Sequence, residues 1–196
     1  KLKHEESKRR SMVNTEKLNN NFDKLFFNFL IITNHEVLYR GYDLIQERKL
    51  KYEFSHKMEN MKYRKINIVE NNLCYDDAIT LYTVGALFCL FNKHIVFHDN
   101  NIFCCLNECT IKNSDLYYVV TSSKEIYLTS EEKINTMKNN SFVISEITKP
   151  LYSLSHYKVG DLKVIIEQLN IKLEDKKYIK KELYEKITKY LHKTLY

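Results

Sequence analysis

Asp76–Leu106 reads DDAITLYTVGALFCLFNKHIVFHDNNIFCCL, and this stretch decides the fold class. Ile79, Tyr82, Val84, Ala86, Leu87 and Leu90 leave almost no polar face, which is the pattern of a helix buried on all sides. Asp76 or Asp77 offers a side-chain oxygen to the first N–H groups. The segment therefore predicts a central buried helix near 76–92. His94–His98, HIVFH, then alternates like a strand, Asp99-Asn100-Asn101 is turn chemistry, and Ile102–Leu106 is a second strand-like run. That is a β-hairpin signal. A buried helix feeding directly into a hairpin implies an α+β fold.

Working outward, Leu116–Val120 and Glu125–Leu128 are two further short strand candidates around Thr121-Ser122-Ser123. Thr129-Ser130-Glu131-Glu132 has the chemistry of a helix start and predicts a short helix to about Asn139. Phe142–Ile147 alternates again. Upstream, a helical pattern begins at Thr15 and runs through FDKLFFNFLII, Phe22–Ile32, with Asn34 as its break. Glu36–Glu47 predicts a second helix, weakened by Gly41. Leu50–Ile68 mixes Tyr52, Phe54, Met58, Met61 and Tyr63 with lysines in no clear period. Residues 12–148 thus read as a helix-rich domain with a small antiparallel sheet, preceded by a charged arm, KLKHEESKRRS, at residues 1–11. Pro150 biases Lys149 away from helix, so Lys149-Pro150 is the expected boundary. The chain starts Lys-Leu-Lys rather than with Met, which is the expectation for a fragment or processed product.

The remaining segment, residues 149–196, is a different kind of sequence. Ser155–Leu191 reads SHYKVGDLKVIIEQLNIKLEDKKYIKKELYEKITKYL. Val159, Leu162, Ile166 and Leu169 mark one face of a first helix, and Ile179, Leu183 and Ile187 mark one face of a second. The other faces and the intervening loop carry lysine. Residues 149–196 hold 11 lysines against 6 acidic side chains, whereas residues 1–148 hold 20 basic and 19 acidic ones. Nearly all of the net charge of +6 therefore sits in the tail. A local excess of this kind attracts phosphate.

The elements Val159-Gly160-Asp161-Leu162-Lys163, Leu169-Asn170-Ile171 and Lys180-Lys181-Glu182-Leu183-Tyr184 resemble the SAP family and the related Rho-N-like helix–extended-loop–helix modules. Asp175-Lys176-Lys177-Tyr178 stands where those modules carry a glycine before the second-helix lysine. The lead-in, Lys149-Pro150-Leu151-Tyr152-Ser153-Leu154-Ser155, resembles segments that precede such modules in proteins of large cytoplasmic DNA viruses. The resemblance covers about a quarter of the chain. It implies contact with DNA or RNA, with Lys158, Lys163, Lys176, Lys177, Lys180 and Lys181 as the phosphate contacts. It also implies other viral proteins as partners and residence in the virion or in the host cytoplasm, at the virus factory. The heavy use of Lys, Asn, Ile and Tyr suits an AT-rich genome, as found in large DNA viruses, some protozoa and some bacteria. A helical hairpin that docks on a capsid or core protein is the alternative reading of the same residues.

Catalytic signatures are scarce. With glycine only at positions 41, 85 and 160, there is no Gly-rich phosphate loop and no dinucleotide fingerprint. His94, His98, Cys104, Cys105 and Cys109 lie close in sequence and are zinc-type ligands. In a strand, however, His94 and His98 stand about 13 Å apart, too far for one ion. Cys74 with one of His35, His56, His94 or His98 would be the pair for a cysteine hydrolase, but Asp76 and Asp77 oppose thiolate formation there. No catalytic, metal or cofactor residue is assigned, and the chain reads as non-enzymatic. The five cysteines are odd in number and read as reduced thiols. The longest apolar run, Ala78–Leu90, falls short of the roughly 20 residues a membrane span needs.

Overall fold

The structure is a computed structural model that describes residues 22–107, 116–175 and 177–196. The charged arm, the start of the first helical pattern, Cys109 and Lys176 lie outside the described residues. Helix α1 spans Lys24–Ile32, α2 Val37–Arg40, α3 Leu44–Met58, α4 Ile66–Tyr75 and α5 Leu81–Leu90. Strands β1 (Ile95–Asp99) and β2 (Ile102–Cys105) follow, then β3 (Leu116–Val120) and β4 (Ile126–Ser130). Helix α6 (Glu131–Asn139) and strand β5 (Phe142–Ile144) complete the N-terminal part. A short 3₁₀ turn at Leu154–His156 leads into α7 (Val159–Gln168) and α8 (Lys180–Leu195). The fold is α+β, as the central segment implies.

Cap chemistry explains the helix boundaries. Asp23 accepts hydrogen bonds from the Leu25 and Phe26 amides and starts α1. Asn34, in the left-handed region at φ 53°, ends that stretch. The single helix expected over Glu36–Glu47 is instead two. Gly41 at φ 103° leaves the helical region, and Asp43 caps a new helix by accepting from the Gln46 amide at 2.7 Å. The central helix begins later than expected. Thr80, not Asp76 or Asp77, caps α5, its hydroxyl accepting from the Thr83 amide.

The sheet is a correction. Five strands run in the order β4-β3-β1-β2-β5. The two hairpins, β1–β2 and β3–β4, are antiparallel. They join through a parallel β1–β3 pair, and β5 adds in parallel to β2, so the sheet is mixed rather than antiparallel. Local turn chemistry specifies hairpins only; which strands then meet across crossovers is set by burial. The β1–β2 turn uses Asn100 and Asn101, both at positive φ, as a tight two-residue hairpin loop requires.

One sheet face presents Ile95, Phe97, Ile102, Cys104, Val120 and Ile144 to the main core beside α5. The other presents Val96, Phe103 and Val119 to Ile134 of α6. Gly85 lets α5 approach the end of β2. A Cβ built there would lie 2.3 Å from the Leu106 carbonyl oxygen, far inside contact distance.

The C-terminal pair packs Leu162, Ile165, Ile166 and Leu169 with Leu183, Ile187, Leu191 and Leu195. Two expected face residues differ: Val159 and Ile179 are exposed, because each stands at the helix start rather than in its packed turns. Leu151 is buried, and Leu154 and Tyr157 pack partly against the same cluster. This apolar cluster is continuous with that of the N-terminal part. Hydrogen bonds also join them: the Tyr196 hydroxyl donates to the Ile147 carbonyl at 3.0 Å, the Asn101 side-chain amide to the Gln168 carbonyl at 3.3 Å, and the Tyr190 hydroxyl to the Asn100 carbonyl at 3.5 Å.

Candidate nucleic-acid interface

The two C-terminal helices start by the same device. The Lys158 amide donates to Asp161 Oδ2 at 2.6 Å, and the Ile179 amide donates to Glu182 Oε2 at 2.9 Å. Each is the acidic half of a capping box, and each puts a carboxylate at the positive end of a helix dipole. Asn170 at φ 53° closes α7, with the Ile171 amide returning to the Ile166 carbonyl at 3.0 Å. The loop is tied by the Glu174 amide, which donates to the Tyr178 hydroxyl at 3.1 Å.

Against this frame, Lys158, Lys163, Lys177 and Lys181 are exposed, and Lys180 is half-buried. Lys176 lies outside the described residues. Lys177, Lys180 and Lys181 fall within the first turn of α8 and the residues just before it, whereas Lys163 lies in α7 and Lys158 is the residue just before that helix. Lys181 Nζ stands 3.8 Å from Glu185 Oε1, an exposed pair of little energetic weight. Lys186 Nζ lies 5.4 Å from the centre of the Tyr178 ring, a cation–π distance.

The tail tyrosines act as struts. The Tyr184 hydroxyl donates to the Tyr152 carbonyl at 2.8 Å. The Tyr152 amide donates to the Tyr157 hydroxyl at 3.1 Å. The first bond fastens the segment after Pro150 onto α8, and the second closes that segment on Tyr157, just before α7. Apolar side chains also remain exposed on the module: Val164 at 53% and Ile179 at 62%, with Val159 and Leu173.

The other candidate chemistries separate in space. His94 stacks on Tyr117 at 5.1 Å between ring centres. His98 stands opposite Phe103 in the hairpin, and burial holds its imidazole below the usual range. Cys104 faces the core opposite Phe97, and burial pushes its thiol up to about 12. It is thus a protonated, inert thiol. Cys105 follows on the opposite sheet face and is exposed. Among the described residues, no group of three or more His, Cys, Asp or Glu is placed to hold a metal ion. Cys74 Sγ lies 3.4 Å from the Ser55 hydroxyl, which is not a base. Asp76 accepts from the Asn72 side chain at 2.7 Å, and Asp77 pairs with Arg48 at 2.9 Å.

Sequence reasoning missed a buried charged network. Lys51 Nζ lies 2.9 Å from Asp23 Oδ2 and 3.1 Å from Glu47 Oε1, and donates to the Asp77 carbonyl at 2.6 Å. Asp23 Oδ2 also accepts from the Ile79 amide at 2.6 Å. The Tyr42 hydroxyl donates to Glu47 at 2.8 Å, and burial holds that phenol well above its ordinary range. Only Glu47–Lys51, four residues apart on one helix, had a legible signal. Among the described residues, no buried side-chain nitrogen or oxygen lacks a partner, so the network fastens α1, α3 and the α4–α5 connection without a vacant polar group.

No protein-family model, curated protein or solved structure matches the chain.

Proposed function

We propose that this chain is a non-enzymatic nucleic-acid-binding protein that contacts DNA or RNA through its lysine-rich C-terminal helical pair. The observation that carries the reading is how the tail's charges are disposed. Leu162, Ile165, Leu183 and Ile187 turn inward, while Lys158, Lys163, Lys177 and Lys181 stay in solvent. Of the six tail acids, Asp161 and Glu182 cap helix starts and Glu185 lies near Lys181. Lysines therefore dominate the first turn of α8, which favours phosphate attraction. The SAP-like elements and the AT-rich residue usage support a role in a large DNA virus, in cytoplasmic genome handling or in the virion, alongside other viral proteins.

The test is duplex binding by the whole chain, followed by fluorescence anisotropy across a salt series. Affinity in the micromolar range, falling steeply with salt, is expected. Changing Lys176, Lys177, Lys180 and Lys181 together to Glu is expected to abolish it with the fold intact. Binding that survives the change would remove the lysine-rich face from consideration.

A second reading has its own observation. Exposed Val164, Leu173 and Ile179 on a small helical pair favour docking onto a protein, as in a capsid or core component. Salt-independent association that is lost in Val164→Asp/Ile179→Asp would favour it over nucleic acid.

A further inference from the structure

We propose that a cleft between the last turn of α8 and the N-terminal part receives a phosphate group of the bound nucleic acid, with Lys124 and Lys193 as its contacts. The proposal rests on the nucleic-acid reading above and extends the contact surface beyond the helical pair.

The cleft is about 320 Å³. Leu25 and the start of α5, Ala78–Leu81, form one wall; Thr121, Ser122 and Lys124 of the β3–β4 turn form the second; Lys193 and the residues after it form the third. No carboxylate side chain lines it. The nearest acids along the chain have partners: Asp23 and Asp77 belong to the Lys51 network and the Arg48 pair, and Asp99 accepts from the Ser122 amide at 3.1 Å and from its hydroxyl. Glu125, beside Lys124, is exposed and is not among the lining residues.

The turn is also held in a form that suits an anion. Its carbonyl oxygens would repel phosphate, yet two of them are occupied. Lys24 Nζ donates to the Ser123 carbonyl at 2.8 Å, and the Asn28 amide donates to the Lys124 carbonyl at 2.9 Å. Lys24 thereby brings a third positive charge to the β3–β4 turn. Lys124 itself sits at φ 64°, and these two bonds from α1 hold that conformation. The N-terminus of α5 adds the positive end of a helix dipole. Lys193, in the last turn of α8, offsets the negative end of that helix. Neither Lys124 nor Lys193 forms an ion pair among the described residues.

Position makes the cleft relevant to the tail. Lys177, Lys180 and Lys181 gather at the first turn of α8, and Lys193 stands near its other end. At 1.5 Å per residue, the rise along α8 from Lys180 and Lys181 to Lys193 separates the two basic poles by about 20 Å. Between them runs a shallow surface groove along α8 lined by Tyr184, Glu185, Thr188, Lys189 and His192, and it shares Lys193 with the cleft; Glu185, its one acid, stands 3.8 Å from Lys181. A nucleic acid lying along α8 would meet both poles.

The experiment uses the whole chain and a duplex, reading the dependence of log Kd on log salt. Lys124→Gln/Lys193→Gln is expected to make the slope shallower by about 1.8, and Lys193→Gln alone by about 0.9, as lost phosphate contacts do. Affinity should fall about tenfold in the double variant at moderate salt. Lys124→Arg/Lys193→Arg should restore both readings. An unchanged slope in the Gln variants, where Lys177→Glu/Lys180→Glu/Lys181→Glu does lose binding, would overturn the cleft and leave the tail reading standing. A wild-type chain with no salt-dependent binding would overturn both.

Discussion

Lys51 and Asp23, on different helical segments, meet at 2.9 Å with their side chains 3% and 0% exposed. Glu47 completes the group at 3.1 Å from the same ammonium, so one buried cation faces two carboxylates. Removing the cation strands both anions away from water, which costs about 3–5 kcal/mol in comparable sites. Lys51→Met is therefore expected to lower the unfolding free energy by about that much, measured by urea titration. Asp23→Asn/Glu47→Gln/Lys51→Met should recover part of the loss, since no unpaired charge is left buried. It should recover only part, because the amide nitrogen at position 23 cannot accept, and one of the two sets of backbone N–H groups that the Asp23 oxygens accept is then unmet. A cost under about 1 kcal/mol for the single variant would show that the network contributes little.

Gly85 and Leu87 test the central helix in opposite ways. The Leu106 carbonyl leaves no room for a Cβ at Gly85, and both partners are backbone, which cannot swing aside. Gly85→Ala is expected to cost about 1–3 kcal/mol through overpacking, although alanine favours helix by about 1 kcal/mol. Leu87, fully buried, should cost about 2–5 kcal/mol on truncation to Ala. A more stable Gly85→Ala variant in thermal unfolding would contradict the close approach of α5 to β2.

How much of this was legible follows from the range of each interaction. The hairpin over His94–Leu106 was readable because Asn100 and Asn101 encode their own turn. The start of α6 was readable because Thr129-Ser130-Glu131-Glu132 is a local cap signal. Helix α4, by contrast, was not assigned. Its buried residues Val69, Asn72 and Leu73 include an asparagine whose amide satisfies Asp76 and Ala78, a tertiary use that breaks the apolar period. Helix α3 beyond Glu47 hid for the same reason, since its buried face includes Glu47, Lys51 and Ser55. The parallel pairing of β1 with β3 and of β2 with β5 carries no local signature at all. In the candidate interface, the lysines were visible as composition, whereas the capping use of Asp161 and Glu182 required the helix starts to be located to the residue. The cleft at Lys124 and Lys193 joins segments 69 residues apart and had no sequence signal.

Two histidines make the stability depend on pH. Burial holds His98 below its ordinary value, against a smaller opposing pull from Asp99. His35 is lowered first by burial and then by the Lys57 charge. In both cases the unfolded chain takes up a proton more readily than the folded one. Stability is therefore complete above about pH 6.5 and declines as pH falls through that value toward the folded-state pKa. Urea midpoints should drop between about pH 7 and pH 5, and His98→Gln should flatten part of that slope. Proton NMR titration that places His98 above 6.5 would reverse the sign.

The segment after Pro150 tests how far the C-terminal helical pair can stand alone. Under fifty residues make a marginal core, so each fastening counts. Leu151 is buried, the Tyr152 carbonyl accepts from Tyr184, and the Tyr152 amide donates to Tyr157. A fragment that begins at Lys149 keeps all three, and it is expected to unfold cooperatively in far-ultraviolet circular dichroism. A fragment that begins at Tyr157 loses the buried leucine and both hydrogen bonds, and it is expected to be largely unstructured at 25 °C. Even the longer fragment gives up the bond from Tyr196 to Ile147 and the apolar continuity with the N-terminal part. It should therefore melt below the intact chain. Equal melting of the two fragments would mean that Leu151 and Tyr152 hold nothing. Absence of structure in both would make the helical pair a dependent part of one fold, and the duplex-binding surface would then have to be assayed only in the whole chain.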